Sequence, residues 1–389
     1  MARVLIGWEL GANRGHAMRM AALGAHIRHA GHEVSFAVQR IDALSETDAG
    51  GSPVWQAPVT PRLLVSGSYS GGGATTGMAD TLARLGFDDG GIVAAMIRSW
   101  HRLIAAIRPN VVIGDYAPFL LLAARGRVPS IAIGTGFSLP PASLQRLPQL
   151  VDGAGATDQQ ELLATINHAL ERFDTPPLIA LPRLFKADRM IPASFAELDP
   201  YAVDRCEVLA SPIPADFTAR AGSGEEVFVY AHEQIALDAP LWRGLAASGL
   251  PVRIYPQRAS AALLNALSAH GFLVEVEPVD FATIATRSRI VVSHGGHGFA
   301  CAALAAGLPQ IIFPHDLEKL LNAMAVAREG LGAQVSLGNF DPDQFGVHLV
   351  SFYRDEALAR RTRARAELLS RRDQPNFASS VVASVSALV

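Results

Sequence analysis

The stretch Arg289–Gly307 (RIVVSHGGHGFACAALAAG) carries the pattern that decides the fold. It begins with an apolar run, Arg289–Val292, which is typical of a buried parallel strand and is followed by a polar turn with three glycines. The Ala-rich segment Phe299–Ala306 then predicts a helix that ends at Gly307. A strand, a glycine turn and a helix in this order leave backbone N–H groups at the helix start, where they and the helix dipole favour a phosphate. The sequence therefore predicts a phosphate-bearing ligand at this turn.

The same alternation of apolar strands and helices continues along the chain and predicts an α/β fold with parallel sheets. The predicted strands are Val4–Trp8, Glu33–Val38, Ala57–Val65, Asn110–Gly114, Ser130–Ile133, Glu226–Tyr230, Val252–Tyr255, Leu273–Val276, Arg289–Val292 and Gln310–Phe313. A segment rich in Pro and Gly, Ser211–Glu225, is the predicted linker between two similar halves. Two such halves leave a cleft at the carboxyl ends of their strands, where ligands bind in sheets of this kind.

Composition limits the class of protein. The chain has 389 residues, which favours two domains, and half of it is apolar, which is enough to bury a large core. The net charge of −3 and the scattered basic residues argue against nucleic acid as a partner. Two cysteines give no disulfide framework, and the short apolar N-terminus is typical of a first strand, so we expect a cytoplasmic protein. No apolar run has the ~20 residues of a membrane span, so we expect no integral membrane segment.

A second glycine turn, Gly11–His16, follows the first strand. It lacks both the Gly-x-Gly-x-x-Gly order of dinucleotide folds and the Gly-Lys-Ser/Thr of phosphate loops. It places His16 at a helix start, where the helix dipole disfavours a proton on the imidazole. A neutral imidazole that faces a cleft is a good general base for a hydroxyl, although a simple capping or surface role explains the position equally well.

Acidic residues at the ends of two strands are candidate partners for this histidine. Asp115 follows the strand Asn110–Gly114 and would orient and charge-stabilise His16 if the two strands are neighbours. The alternative for Asp115 is an N-cap on the helix that starts near Pro118. Glu9, at the end of the first strand, is a further candidate.

Taken together, these motifs resemble those of the GT-B glycosyltransferases of the UDP-glycosyltransferase superfamily, including their bacterial macrolide and natural-product members. In the N-terminal half the resemblance rests on Gly15-His16 and on Gly31–Val34. In the C-terminal half the family motifs HGGxG, GxP, P, NA and GxG are matched in order by His294–Gly298, Gly307–Pro309, Pro314, Asn322-Ala323 and Gly330–Gly332.

The resemblance implies two Rossmann-like domains with parallel sheets facing a central cleft. Residues 1–215 would bind the acceptor and residues 216–389 the nucleotide sugar, with a C-terminal helix that returns to the first domain. The implied reaction is an inverting transfer from a UDP- or dTDP-sugar to a hydroxyl of a small hydrophobic or natural-product acceptor. Neither a metal nor a cofactor is expected.

The resemblance also implies roles for particular residues. His16 matches the family's general base and Asp115 its partner, while His294 matches the residue that contacts the diphosphate. The remaining positions assigned to the nucleotide sugar are Ser293, Gly295, Gly296, His297, Gly298, Phe299, Val279, Glu318 and Lys319.

Three positions depart from the family pattern. Phe299 stands where Thr or Ser is usual, Ala302 where a ribose-binding Glu is usual, and Glu318-Lys319 where Asp-Gln usually holds the sugar. A deoxyribose donor such as a dTDP-sugar would lose less than a UDP-sugar from the absence of the ribose contact. The departures also favour a rival hypothesis, a non-catalytic relative that binds a nucleotide and assists another transferase. A nucleotide-sugar epimerase with the same fold is a third alternative.

Several weaker signals have simpler explanations. His294, His297 and His315 lack the spacing of a zinc site, and Asp341-Pro342-Asp343 is more simply a helix cap than a metal-binding motif. Cys301 lies in an apolar helix and is expected in the core. The loops Val54–Thr76 and Gly134–Leu147 are expected to shape the acceptor pocket. A homodimer is left open.

Overall fold

The computed structural model describes residues 1–10, 14–66, 75–153, 157–231, 239–336 and 341–389. The predicted turn residues Gly11–Asn13 and the glycine-rich part of the Val54–Thr76 loop, residues 67–74, lie outside the described residues. The chain divides into two compact units. Unit 1 comprises Met1–Pro212 and Gln374–Val389, and unit 2 comprises Ile213–Asp373.

Unit 1 is built on a six-stranded parallel sheet. Its strands are β1 (Arg3–Trp8), β2 (Glu33–Val38), β3 (Val54–Gln56), β4 (Val111–Asp115), β5 (Ser130–Gly134) and β6 (Arg189–Pro192). Their order is β3-β2-β1-β4-β5-β6. The central strands β4 and β5 are buried along their whole length, because helices cover both faces of a parallel sheet. The register pairs Trp8 on β1 with Asp115 on β4, so the two strands end side by side.

The helices of unit 1 connect these strands and include one from the end of the chain. They are α1 (Arg14–His29), α2 (Glu46–Ala49), α3 (Pro61–Ser66), α4 (Met78–Leu82), α5 (Gly90–Ile107), α6 (Pro118–Ala124), α7 (Gln159–Glu171) and, C-terminally, Phe377–Leu388. Short 3-10 or π turns add Ile41–Ala43, Ala83–Phe87, Leu181–Phe185 and Ala196–Leu198. Val381 and Val385 of the C-terminal helix are fully buried in the core that also contains Ile6 and Phe36.

Unit 2 repeats the plan with a second six-stranded parallel sheet. Its strands are β7 (Glu226–Ala231), β8 (Val252–Pro256), β9 (Leu273–Val274), β10 (Ser288–Ser293), β11 (Gln310–Ile312) and β12 (Gly332–Gln334), in the order β12-β11-β10-β7-β8-β9. The helices are α8 (Ala239–Ala247), α9 (Ala261–Ala269), α10 (Phe281–Arg287), α11 (His297–Ala306), α12 (Leu317–Arg328), α13 (Pro342–Arg354) and α14 (Glu356–Ser370). The C-terminal helix of unit 1, Phe377–Leu388, is therefore α15.

The prediction of an α/β fold with parallel sheets is confirmed, and one predicted strand is wrong. Within Ala57–Val65 the chain forms no strand, because Pro61 occupies the first position of α3, where its fixed φ suits a helix. The strand of this region lies earlier, at β3. The other two strands that the sequence did not reveal, β6 and β12, are also only three or four residues long. The predicted division after residue 215 lies close to the one seen after Pro212.

Candidate active site

In unit 1 a polar cluster forms where β1 and β4 end. Asp115, the last residue of β4, is completely buried, and His16 in the first turn of α1 contacts it. His16 Nδ1 lies 3.2 Å from Asp115 Oδ1. The two residues are 99 positions apart in the sequence, and the β1–β4 pairing brings them together. The geometry is that of a histidine whose Nδ1 is oriented by a carboxylate, which leaves Nε2 to accept a proton.

Two aromatic rings fix the plane of the imidazole. The Trp8 ring stacks on His16 with centroids 5.5 Å apart and 13° between the planes. The Tyr116 ring lies 6.3 Å from His16 at 27°. Tyr116 has a φ of 47°, a left-handed value that costs a non-glycine residue free energy. The side chain of His16 remains 14% exposed, so it is accessible to a ligand.

Asp115 also accepts hydrogen bonds from Arg19, one turn further along α1. Arg19 Nη2 lies 2.5 Å from Oδ1 and 2.7 Å from Oδ2, and Nε lies 3.1 Å from Oδ2. Burial alone would raise the pKa of the Asp115 carboxyl, but the charge of Arg19 and the hydrogen bonds from His16 and Arg19 hold that pKa below its usual value. Asp115 is therefore an anion beside the imidazole.

Glu9 accepts the first N–H groups of helix α6, which is the capping role that the sequence offered as an alternative for Asp115. Helix α6 has Ala117 at its N-cap with no side-chain bond, and its first N–H groups at Phe119 and Leu120 donate to Glu9 Oε2 and Oε1 at 3.0 and 2.5 Å. Burial raises the pKa of the Glu9 carboxyl to about 8. The N-cap alternative for Asp115 is therefore wrong, and Glu9 supports α6.

In unit 2 the stretch Ser293–Phe299 forms the expected turn between β10 and α11. Ser293 ends β10, and its Oγ accepts a hydrogen bond of 3.1 Å from the Gly295 N–H. His294 is buried at the carboxyl end of the sheet, and helix α11 begins at His297. The Gly295 carbonyl accepts a 2.9 Å bond from the Asn322 side chain, which ties the turn to α12.

Each of the three glycines in this turn lacks a side chain for a different physical reason. Gly295 has a φ of 81°, and a Cβ there would lie 2.5 Å from Ile312 Cγ2. A Cβ on Gly296 would lie 2.8 Å from His294 Nε2, so this glycine makes room for the imidazole. A Cβ on Gly298 would meet nothing within 4 Å, so this exposed residue leaves the first turn of α11 open to a ligand.

Phe299 and Val279 belong to an apolar cluster beside the turn. The Phe299 ring packs on Tyr230 with centroids 5.3 Å apart and edge-on against Phe281 at 5.4 Å. Val279 packs against the same cluster. The Phe299 ring therefore contacts the aromatic side chains near the end of β7 and the start of α10.

His297 lies on the first turn of α11 and is buried. Its Nε2 lies 3.4 Å from the Sγ of Cys301, one turn along the helix. Cys301 is completely buried, as its apolar surroundings predicted. Of the two histidines in the turn, His297 is therefore the one whose Nε2 contacts a neighbour within its own helix.

Glu318 and Lys319 lie in the first turn of α12 within a cluster of charges. Asp316 caps this helix, accepting the Lys319 N–H at 3.1 Å and Lys319 Nζ at 2.7 Å. Glu318 Oε2 lies 3.8 Å from the same ammonium. Burial would lower the pKa of Lys319, but the two carboxylates raise it, and Lys319 in turn lowers that of Asp316. The lysine is held as a cation.

His315 brings a second imidazole close to the turn. It follows β11, the neighbour of β10, and its ring lies 5.6 Å from that of His294. His315 Nε2 lies 3.8 Å from Asp316 Oδ2. The strand order explains this proximity, and sequence reasoning missed it because it tested His315 only as a zinc ligand. Arg19 was missed for a similar reason, since only its spacing from His16 on α1 signals a shared face.

The structure also bears on metals and membranes. Among the residues it describes, no group of three or more His, Cys, Asp or Glu side chains is arranged to hold a metal ion. Asp341 caps α13, accepting the N–H groups of Asp343 and Gln344 at 2.8 and 3.2 Å, as expected for a cap. In the same described portion, every helix is too short or too polar to cross a bilayer.

Comparison with known proteins relates this geometry to a family. Residues 272–384 match the family described as "Erythromycin biosynthesis protein CIII-like, C-terminal domain". The chain is 27% identical over 387 residues to an uncharacterized glycosyltransferase of Methanosarcina acetivorans, covering 94% of this chain and 92% of that protein. It is 35% identical over 106 residues to the elloramycin glycosyltransferase ElmGT of Streptomyces olivaceus, which is 27% of this chain and 26% of that enzyme.

A solved structure extends the likeness to the whole fold. The spinosyn rhamnosyltransferase SpnG in complex with spinosyn aglycone is 20% identical, with a TM-score of 0.68 and coverage of 98% of this chain and 99% of that one. SpnG with thymidine diphosphate gives a TM-score of 0.67 at 20% identity, covering 97% of this chain and 98% of that one. With two parallel sheets of the same kind and similar proteins that are glycosyltransferases, the chain has the GT-B fold and resembles glycosyltransferases of the natural-product type.

Proposed function

We propose that the protein transfers a sugar from a nucleoside diphosphate donor to a hydroxyl of a small apolar acceptor, with inversion at the anomeric carbon and without a metal ion. The observation that carries this proposal is the contact of 3.2 Å between His16 Nδ1 and the buried Asp115 carboxylate. It provides a base whose Nε2 can take a proton from a hydroxyl and whose charge is then stabilised.

The proposed reaction is a single displacement. The acceptor oxygen forms a bond to C1 of the sugar while the bond between C1 and the phosphate oxygen breaks. The hydroxyl proton passes to His16 Nε2, and the nucleoside diphosphate leaves with the electron pair. Attack from the face opposite to the leaving group inverts C1. Holding donor and acceptor together would supply a large share of the acceleration.

The turn Ser293–Gly298 supports the donor part of the proposal. The open first turn of α11 offers N–H groups and the positive end of a helix dipole to the diphosphate. His294 adds an imidazole beside these groups, and His315 lies next to it. These groups stabilise the negative charge that develops on the leaving diphosphate, which is the role that a metal plays in other transferases.

We infer that the donor is a dTDP-sugar. Ala302, on α11, has no carboxylate for a ribose 2′-hydroxyl, and a deoxyribose lacks that hydroxyl. Losing a hydrogen bond to a charged group costs about 1.5–3 kcal/mol, which would disfavour a ribonucleotide relative to a family member that has the carboxylate. SpnG, which shares the fold, has been solved with thymidine diphosphate.

The acceptor is proposed from the loop Gly134–Leu147. Its apolar side chains Phe137, Leu139, Ala142 and Leu147 are buried, and Pro140-Pro141 stiffens it. A loop of this composition would suit an apolar polyketide-like or aromatic acceptor that carries a hydroxyl. SpnG has been solved with the aglycone of a natural product.

A donor and acceptor panel tests the proposal. The protein is incubated with UDP- and dTDP-sugars, with and without hydroxylated apolar acceptors, in the presence of EDTA, and free nucleoside diphosphate is followed. We expect release that depends on the acceptor, is faster with dTDP-sugars and persists in EDTA. Proton NMR of the product should show the anomeric configuration opposite to that of the donor. Consumption of UDP-sugars alone would contradict the donor assignment, and release without acceptor would indicate hydrolysis or epimerisation.

A His16→Ala variant tests the base directly. We expect kcat to fall by about 10²–10⁴-fold because general base catalysis contributes this much, while the affinity for thymidine diphosphate stays unchanged. His29→Ala, an exposed position in the last turn of the same helix, is the matched control. A His16→Ala protein as active as the parent would remove His16 as the base.

The second candidate function is a non-catalytic relative that binds a nucleotide and assists another transferase. The packing of Phe299 favours it, because an aromatic ring among Tyr230 and Phe281 offers the diphosphate no hydroxyl. Tight binding of thymidine diphosphate by calorimetry, with no turnover of any donor and acceptor, would support this function over transfer.

A further inference from the structure

Arg19 contacts both members of the proposed catalytic pair. Its Nη2 lies 2.5 and 2.7 Å from the two oxygens of Asp115, and the same nitrogen lies 3.1 Å from His16 Nδ1. Its Nε adds a third contact of 3.1 Å to Asp115 Oδ2. Arg19 and His16 are three positions apart on α1 and therefore share a face of that helix. The carboxylate is completely buried, and Arg19 is 22% exposed.

The contacts around Nδ1 limit the states that His16 can occupy. A guanidinium has only donors, so a hydrogen bond from Arg19 to Nδ1 would require a lone pair on Nδ1 and a proton on Nε2. A hydrogen bond from Nδ1 to Asp115 requires the opposite tautomer, with the lone pair on Nε2. Arg19 Nη2 already donates to both oxygens of Asp115 at shorter distances, so the contact at Nδ1 is the weaker of its interactions. The arrangement favours a proton on Nδ1 directed at Asp115.

The charges around the His16 imidazole also favour its neutral form. A buried carboxylate alone would draw a proton onto the imidazole and leave no lone pair for a substrate. The guanidinium beside it cancels this charge, and a protonated His16 would place a second positive charge 3.1 Å from Arg19 Nη2. Among the residues that the structure describes, the aromatic rings stacked on the imidazole, Trp8 and Tyr116, bring no charge at neutral pH.

We propose that Arg19 is a positioning residue of the catalytic pair: its guanidinium holds the Asp115 carboxylate in place and offsets its charge, so that His16 enters the reaction as a neutral base with its lone pair on Nε2. The consequence for turnover rests on the proposed function of His16. The charge state and tautomer of the ring do not depend on the proposed function, because they can be measured without any substrate.

The test uses the full chain labelled with ¹⁵N-histidine. Long-range ¹H–¹⁵N NMR spectra report the proton on each ring nitrogen, and a His16→Gln spectrum assigns the His16 signals. In the parent we expect the neutral form of the ring to carry its proton on Nδ1. In Arg19→Met, which keeps the length of the side chain and removes the charge, we expect the midpoint of the His16 titration to rise by about one pH unit or more. Arg98→Met, at an exposed position of α5, is the matched control and should leave it unchanged.

Two further variants separate charge from packing. Arg19→Lys keeps the charge without the bidentate geometry, so its midpoint should stay closer to that of the parent than the midpoint of Arg19→Met does. In Arg19→Met/Asp115→Asn the unbalanced carboxylate is gone, and the midpoint should return towards the parent value. An unchanged midpoint in Arg19→Met, or an equal rise in Arg19→Lys, would overturn the proposal. Circular dichroism establishes that each variant is folded, and Arg19→Gln replaces Arg19→Met if the latter is not.

Kinetics provides an independent readout. The acidic limb of the pH–rate profile of Arg19→Met should move to higher pH, with kcat about tenfold lower near pH 6.5 and close to the parent above pH 9. A purely structural role would instead lower kcat equally at all pH values, and that result would also overturn the proposal. If no donor and acceptor react while the NMR midpoint still rises, the proposed function fails and the role of Arg19 in setting the charge of His16 stands.

Discussion

At the scale of single residues, the buried Asp115 carboxylate lies between two basic side chains of α1: His16 contacts it at 3.2 Å, and Arg19 donates to both of its oxygens. His16 and Asp115 were predicted from strand and helix ends. What the sequence did not reveal is the division of roles among three acidic and basic neighbours. Glu9, rather than Asp115, caps α6, and Arg19 shares the Asp115 carboxylate. These assignments depend on side-chain directions that follow from the register of β1 with β4, which sequence spacing does not specify.

The buried carboxyl of Glu9 makes a prediction about stability. Its folded-state pKa of about 8 lies above the ordinary 4.5, so the native state keeps a proton that the unfolded chain has lost between these values. Stability should therefore fall as pH rises through this window, by up to about 1.4 kcal/mol per pH unit.

Thermal unfolding of Glu9→Gln across this pH range checks the prediction. The variant should show a flatter dependence of the melting temperature on pH than the parent. Glu33→Gln, at the exposed first position of β2, is the control and should keep the slope of the parent. A parent slope that survives in Glu9→Gln would contradict the role given to this carboxyl.

His315 makes a prediction about donor binding. Its imidazole lies 5.6 Å from His294 at the turn, where a diphosphate is proposed to bind. Removing a donor to a charged group should weaken binding of thymidine diphosphate about tenfold in His315→Ala, as measured by calorimetry. His348→Ala, at an exposed position of α13, should bind like the parent. Equal affinities of His315→Ala and the parent would exclude His315 from the site.

At the scale of elements, the long buried strands were predictable, and three short strands, β3, β6 and β12, were not. Strands β1, β4, β5 and β10 have five or six residues and contain a continuous apolar run, which a buried parallel strand needs. Strands β3 and β12 have three residues each and contain no such run. The apolar segment that contains Pro61 looked like a strand because periodicity cannot separate a short apolar strand from the start of a helix.

Two glycines of the β10–α11 turn, Gly295 and Gly298, allow a matched pair of substitutions. Gly295→Ala must adopt a φ of 81° and place a Cβ 2.5 Å from Ile312, so we expect a loss of about 1–3 kcal/mol in the free energy of unfolding. Gly298→Ala meets nothing within 4 Å and should fold as stably as the parent, while its methyl group narrows the approach to the helix start and weakens binding of thymidine diphosphate.

Urea unfolding and calorimetry distinguish the two variants. An unfolding midpoint for Gly295→Ala equal to that of the parent would mean that the turn tolerates a side chain at this position. Full affinity in Gly298→Ala would mean that the diphosphate does not approach this part of α11.

At the scale of the whole molecule, the chain finishes in the unit in which it began. The repeated alternation of strands and helices predicted two α/β halves, and the structure has two six-stranded parallel sheets. The last helix, α15, packs with unit 1, where Val381 and Val385 are completely buried. A composition of Ala, Val and Ser suits many helices, so the sequence alone does not say which core receives this one.

Because α15 packs into the core of unit 1, we expect that weakening this packing lowers the stability of unit 1. Val381→Ala/Val385→Ala should destabilise unit 1 by about 2–5 kcal/mol, because each change leaves a cavity in the core. Binding of thymidine diphosphate, proposed for unit 2, should persist. Urea unfolding monitored by tryptophan fluorescence measures the first effect, and calorimetry measures the second. Val389→Ala, which is 58% exposed, is the control. A loss of nucleotide binding in the folded variant would contradict this separation.

The bridge between Ser211 and Asn376 has a practical consequence for protein engineering. The Ser211 N–H donates to the Pro375 carbonyl at 2.9 Å, so the outgoing and returning chains lie side by side and are hydrogen-bonded to each other. Residues 213–373 are therefore an insert between two adjoining splice points. A chimaera that exchanges this segment with that of a related transferase needs two neighbouring junctions, and under the function proposed above such an exchange would change the donor while the acceptor pocket is kept.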